Sequence, residues 1–422
     1  MEDEWVVSFL AVLLLLAVAV VIRVQHRSWL SPAAFWGLVW AVILLSSVLF
    51  VPDYLLRVAG VAWILGCVLI VSAGADLGHR IHFLRQAESS LLTDNIKRSL
   101  LIKRLRNTCF LSAVMGMGAV LVYLNEAGAS LGDVWSIDRI FEIAHAYSFS
   151  RYSDRTFREP ELAIFLSSFI YLSALLGGTL IALSPKFSFI SIIGFIPALC
   201  VTIILTTRAS FLFSAILWLS AYLATSVALT SGKYSLFTGR RMWVMSVLVV
   251  LAISVYVIGQ VAREGDLDTD FLAIVPIVVS AFLGSPSAFT LWFSDNWYRS
   301  MPLGLGERTF AGPLGFEWPY FDATTVGSSS LTQQTTTVHT LYRELIHDYS
   351  LTGSMIVLFV LGLFGGWAFR KAVHGKPLAI AMLSIFYCIA LNSLAGFPFA
   401  YTTICFAWGL YASTLLVFCR IS

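Results

Sequence analysis

The chain has 422 residues, of which 58% are hydrophobic and only 12% charged, with a formal net charge of +3. Soluble domains carry about 45–50% apolar and about 25% charged residues, so a soluble protein is excluded and a polytopic helical membrane protein is implied. The apolar runs are continuous rather than alternating, which argues against a β-barrel, and the small net charge gives no sign of nucleic acid as a partner.

In chain order, apolar runs place spans at about 5–22, 30–51, 54–75, 108–124, 161–183, 187–206, 209–229, 242–261, 347–369, 377–395 and 397–418. That makes about eleven helices in a single membrane domain, 1–422. The acidic start (Glu2, Asp3, Glu4) lacks the basic region of a cleavable signal peptide, so the first run reads as a retained helix. Ser31–Pro32 suits a helix start, with serine as cap and proline in the first turn. The segment "FLAIVPIVVSAF" (271–282) is too short to span, and with its extension to 293 it reads as a re-entrant or surface-lying pair of short helices. The six cysteines lie in or at the ends of apolar runs and none forms a CxxC pair, so they read as packing residues.

Orientation follows the lysines and arginines of the connections. An N-terminus outside and a C-terminus inside puts 17 of the 27 Lys and Arg in inner segments, all six lysines among them. Every outer cation is then an arginine. Two outer segments are sizeable, 125–160 and 262–346, and the inner segment 76–107 ("KRSLLIKRLR" within it) is basic and suits an anionic leaflet. His79 and His82 without further ligands do not make a metal site.

Arginine's planar fork binds phosphate and carboxylate bidentately and stays charged when partly desolvated. An outer face that uses arginine and no lysine fits a fixed anionic group, a membrane-surface diphosphate above all. Arg208 in "IILTTRASFLF" sits in a connection of about five residues between two spans, with no acid nearby in sequence. Arg263 in "VAREGD" follows the next span and can share the anion, with Glu264 as the alternative partner. Arg151, Arg155 and Arg158 form a third outer group. Asp266, Asp268 and Asp270 alternate like calcium-loop ligands but lack the loop's glycine and closing glutamate.

The densest polar stretch is "TVHTLYRELIHDYSLTGS" (337–354). Read as one helix, it puts His339, Arg343 and His347 on one face, with Glu344 and Asp348 beside them. These groups can supply a general base and charge stabilisation; an amphipathic interfacial helix with i,i+4 pairing is the other reading. Trp292, Trp297, Trp318 and Tyr320 in the second outer segment are stacking residues for sugars or plain interfacial aromatics.

With these residues in view, the chain resembles Wzy-type O-antigen and oligosaccharide repeat-unit polymerases, within the wider O-antigen polymerase and ligase group. The similarity is carried by "TTRASFLFSA", by "VAREGD", by "HTLYRELIHDYSLTGSMIVLFVLGLFGG" and by "SPAAFWGLVW". Ligases carry a histidine, ten residues, then Gly-x-x-Gly; His339 and Gly353 fit that spacing, with Ser350 in the first glycine position. The resemblance implies a C-type glycosyltransferase-like architecture in a bacterial inner membrane, with the active site periplasmic. It implies transfer of a growing glycan from its undecaprenyl diphosphate to the non-reducing end of a new lipid-linked repeat unit, with no metal and no other cofactor. On that reading Arg208, Arg263 and Arg343 bind the donor diphosphate, Arg151 and Arg155 guide the acceptor's diphosphate, and His339 deprotonates or orients the acceptor hydroxyl. Glu344, His347 and Asp348 serve as acid, base or orienting groups. The partners implied are lipid-linked donor and acceptor, membrane lipids, and a chain-length regulator and flippase. The alternatives are an O-antigen ligase acting on lipid A core and a polysaccharide or lipid transporter.

Overall fold

The structure, a computed structural model, describes residues 2–51, 53–54, 56–81, 95–129, eight positions between 132 and 146, 160–184, 188–205, 209–230, 232, 246, 250, 253–259, 271–298, 303–316, 324–326, 334–336 and 338–421. It is an all-α polytopic membrane protein. Among the described residues, eight helices are long and apolar enough to cross a membrane. The main helices are α1 (Glu2–His26), α2 (Pro32–Phe50), α3 (Val58–Arg80), α4 (Asn95–Glu126), α5 (Glu161–Leu183), α6 (Phe195–Leu205), α7 (Ala209–Leu229) and α8 (Phe271–Asn296). They are followed by a single turn α9 (Ala311–Leu314), a hairpin of β1 (Thr324–Val326) and β2 (Gln334–Thr336), then α10 (Leu341–Val373), α11 (Pro377–Asn392) and α12 (Thr402–Ile421).

The start of α2 forms as its sequence dictates. Ser31 is extended and its hydroxyl accepts the Ala34 N–H, while Pro32 fills the first turn where no N–H is needed. The expectation over 271–293 is overturned: α8 is one helix of 26 residues, about 39 Å long at 1.5 Å per residue. Pro286 removes a single backbone hydrogen bond, a loss that helices in an apolar surround tolerate. Ser285 and Ser287 are fully buried, and the Ser285 hydroxyl donates to the Leu394 carbonyl at 2.7 Å. "GSPSA" is thus a close-packing stripe, not a break. The expected span at 187–206 is divided into a 3-10 turn at Phe189–Ser191 and the 11-residue α6, which at about 16 Å does not span a bilayer alone. Most of the expected span at 242–261 lies outside the described residues, with 253–259 helical.

The chain divides into two compact units. The first comprises 1–89, 226–236 and 279–405. Its spine is the pair α3 and α10, which run in the same direction with backbones almost touching. Gly74 and Gly78 of α3 face Phe359, Leu363 and Trp367, and Gly362 and Gly366 of α10 face Val71 and Ala75. A Cβ at any of the four would overlap a carbonyl oxygen of the other helix. Lipid tails are as apolar as leucine, so close van der Waals packing through small residues has to hold such helices together. The second unit comprises 90–225, 237–278 and 406–422. Its core is built from Ala119, Tyr123, Leu124, Ile170, Val201, Leu205 and Phe211 of α4 to α7, and Gly177 and Gly178 let α5 approach Ser191 and Trp218 in the same manner.

Candidate functional site

The polar cluster forms in the first unit, at the entry to α10. The helix starts one turn later than the sequence pattern predicts. Thr340 is the extended residue before it, so His339 and Val338 lie ahead of the helix and not on its face. His339 nevertheless reaches Arg343: the Arg343 Nη1 donates to His339 Nδ1 at 2.9 Å and to Thr324 Oγ1 of β1 at 3.3 Å. The Arg343 guanidinium also lies over the Trp292 ring of α8, 5.1 Å from its centroid, and the His347 ring lies 5.1 Å from the same indole. His339 is 5% and Arg343 6% exposed. A guanidinium suits this position because its flat face stacks on the indole while its edge donates.

The first turns of α10 are fixed from several sides. The Leu341 N–H donates to the Ser393 carbonyl, and the buried Glu344 carboxylate accepts the Phe397 N–H at 2.6 Å. Gly396, with φ of +104°, makes the turn that presents that N–H; a side chain there would stand against the Glu344 carboxyl. Tyr342 is wedged between Trp40 and Phe289, and its hydroxyl accepts the Trp36 indole N–H at 3.1 Å. Asp348 is bound on its carboxylate by the Arg308 and Thr309 N–H groups and by the Thr309 hydroxyl, at 2.6 to 3.2 Å, while its carbonyl accepts the Gly304 N–H. It therefore ties the 303–310 loop onto α10.

Ser350 ends this first helical section. Its φ of 63° and ψ of 178° break the helix inside α10, in a region of backbone space that glycine favours strongly. The helix resumes beyond it and runs on through the membrane.

The His339 imidazole is held far below its ordinary pKa, at about 3, first by burial, then by the charges of Arg343 and Arg308 and by His347. It is therefore neutral at physiological pH. Because Arg343 donates to Nδ1, the proton of the neutral ring resides on Nε2 in this arrangement. Burial likewise lowers Arg308, with Asp348 acting against it.

Of the residues expected from sequence, the structure joins His339, Arg343, Glu344, His347, Asp348 and Trp292 in one cluster. Trp292 supports Arg343 and His347; Trp297 is exposed and packs edge-on against Tyr298. Arg208, Arg263, Arg151, Arg155, Arg158, Trp318 and Tyr320 lie outside the described residues. Sequence reasoning missed Arg308, Thr309, Thr324 and the Phe397 N–H, which come from distant parts of the chain. Arg308 alone carried a signal, as one more outer arginine.

No family model, curated protein or solved structure matches this chain. The functional reading therefore stands on the residues.

Proposed function

We propose that this protein is a membrane-embedded glycosyltransferase that polymerises undecaprenyl-diphosphate-linked oligosaccharide repeat units on the periplasmic side of a bacterial inner membrane. The observation that carries the reading is the pairing of a neutral, buried His339 with a buried Arg343 stacked on Trp292, at the mouth of a membrane-spanning helix. It combines an anion-binding guanidinium with a proton-transfer group, as glycan transfer from a lipid diphosphate requires.

In this structure Arg343 occupies the Nδ1 lone pair of His339, so the imidazole acts as a donor and is a poor base. A bound diphosphate changes both conditions. It draws the Arg343 N–H groups to its oxygens, which frees Nδ1, and its negative charge offsets the cations that add to burial in depressing His339. The freed imidazole then accepts the acceptor hydroxyl's proton as that oxygen bonds to the anomeric carbon. The glycosidic C–O bond to the diphosphate breaks, and the leaving group takes its electron pair and is stabilised by arginine. Arg208 and Arg263 are assigned to the same diphosphate from the sequence resemblance, and Arg151 and Arg155 to the acceptor's. Glu344 and Asp348 act as positioning residues, since their carboxylates are engaged by backbone N–H groups.

An O-antigen ligase is the second reading, and one observation favours it. Ser350 adopts a glycine-type backbone at the position where the ligase pattern has its first glycine after the histidine. A deletion strain separates the two. Loss of a polymerase leaves single repeat units attached to the lipid core, whereas loss of a ligase leaves none attached and lipid-linked glycan accumulates. The polymerase reading expects the first outcome, and the second would replace it with the ligase.

A further inference from the structure

The opposite end of the first unit carries a second polar site. Helices α1, α3 and α10 all finish there. His26 pairs with Asp76 at 2.7 Å, Arg370 Nη1 donates to the His79 carbonyl at 2.7 Å, and the His79 ring lies 6.4 Å from that of Phe369. Between the ends of α3 and α10 lies a cavity of about 440 Å³ lined by His79, Arg80, Arg370, Val373 and His374. Among the described residues, no carboxylate lines it. The one acid of this helix end, Asp76, is turned to His26.

Cations in the last turn of a helix offset the negative end of its dipole, which explains part of this charge. Arg370 does this work for α3 through the His79 carbonyl. Dipole compensation needs side chains folded back onto carbonyls, however, and does not call for a cavity with two guanidiniums and two imidazoles around it. Both parent helices are long and apolar enough to cross a membrane, so their ends lie at the membrane–water boundary. Val373 supplies an apolar wall beside the charges, and Lys371 and Lys376 follow in sequence.

We infer that this cavity binds the phosphate of an anionic phospholipid headgroup, with Arg80 and Arg370 on the phosphate oxygens, His79 and His374 donating at the rim, and an acyl chain lying against the apolar side. Basic pockets between membrane helices have the charge and shape for such headgroups. A phosphorylated solute shares the recognition chemistry and differs by having no acyl chain.

The test is thermal unfolding of the full-length protein in neutral detergent, titrated separately with phosphatidylglycerol, phosphatidylcholine and inorganic phosphate. The expected result is a saturable upward shift with phosphatidylglycerol and none with phosphatidylcholine. An equal shift with millimolar inorganic phosphate assigns the site to a soluble phosphate instead of a lipid. The double variant Arg80→Gln, His374→Gln should weaken apparent phosphatidylglycerol affinity at least ~10-fold, read as the shift from that variant's own lipid-free midpoint. Arg370→Gln should weaken it too, but it also removes the bond to the His79 carbonyl and is the less clean variant. No shift with either anion, or an unchanged affinity in the double variant, overturns the inference.

Discussion

The α3–α10 seam gives a sharp quantitative test of the fold. Gly366→Ala adds one methyl group, which on the present backbone would stand 2.7 Å from the Ala75 carbonyl carbon and 2.8 Å from its Cα. The Ala75 carbonyl oxygen is nearer still, and ordinary contact begins near 3.4 Å, so the two helices must separate by more than ~0.7 Å, and the obstacle is backbone that cannot rotate away. The separation also loosens the neighbouring contacts at Gly74, Gly78 and Gly362. Overpacking of this kind costs about 1–3 kcal/mol. At Gly66, on the same α3, an added methyl group would meet no neighbouring segment within 4 Å, so Gly66→Ala should be neutral, or stabilising by up to ~1 kcal/mol through helix propensity. Thermal unfolding of the two variants in one detergent measures the difference. Equal midpoints for Gly366→Ala and Gly66→Ala would refute close backbone packing as the basis of this pair.

Two further outcomes follow from the site's geometry. Ser350→Gly should stabilise the protein by ~1–2 kcal/mol because it relieves a positive φ, and Ser350→Val should destabilise it; chemical denaturation in detergent reads both, and a destabilised glycine variant would contradict the break seen at this residue. For His339, the folded pKa of about 3 lies below the ordinary 6.5, so the stability due to its neutral form is complete above pH 6.5 and is lost as pH falls toward 3. The contribution declines by at most ~1.4 kcal/mol per pH unit, and comparing wild type with His339→Gln between pH 5 and 8 isolates it. Parallel pH curves for the two would show that His339 is not held neutral.

Much of the fold was legible because membrane spans are written in long apolar runs: α1, α2, α3, α5 and α7 fall where the sequence puts them. The two departures have different causes. Small residues around Pro286 resemble a loop in sequence, yet in an apolar environment they mark close helix contact. At 187–206 the hydropathy is sufficient but the backbone turns within it, which composition does not encode. At the site, His339, Arg343, Glu344 and Asp348 were visible as a polar stretch ahead of a span. The late helix start and the break at Ser350 were not, since both depend on residues far away: Ser393 and Phe397 behind the first turns, and the 303–310 loop bound by Asp348.

Arg343 and His339 are proposed to act together on a lipid-linked diphosphate. Elongation of a lipid-diphosphate repeat unit by the purified protein, reconstituted without nucleotide sugar, tests this proposal most directly when wild type, Arg343→Ala and Arg343→Lys are compared at matched protein levels and unfolding midpoints. Wild type should give polymer and both variants should lose at least ~10²-fold, because an ammonium can neither stack on Trp292 as a plane nor bind bidentately. Wild-type elongation by a folded Arg343→Ala protein would contradict the proposal.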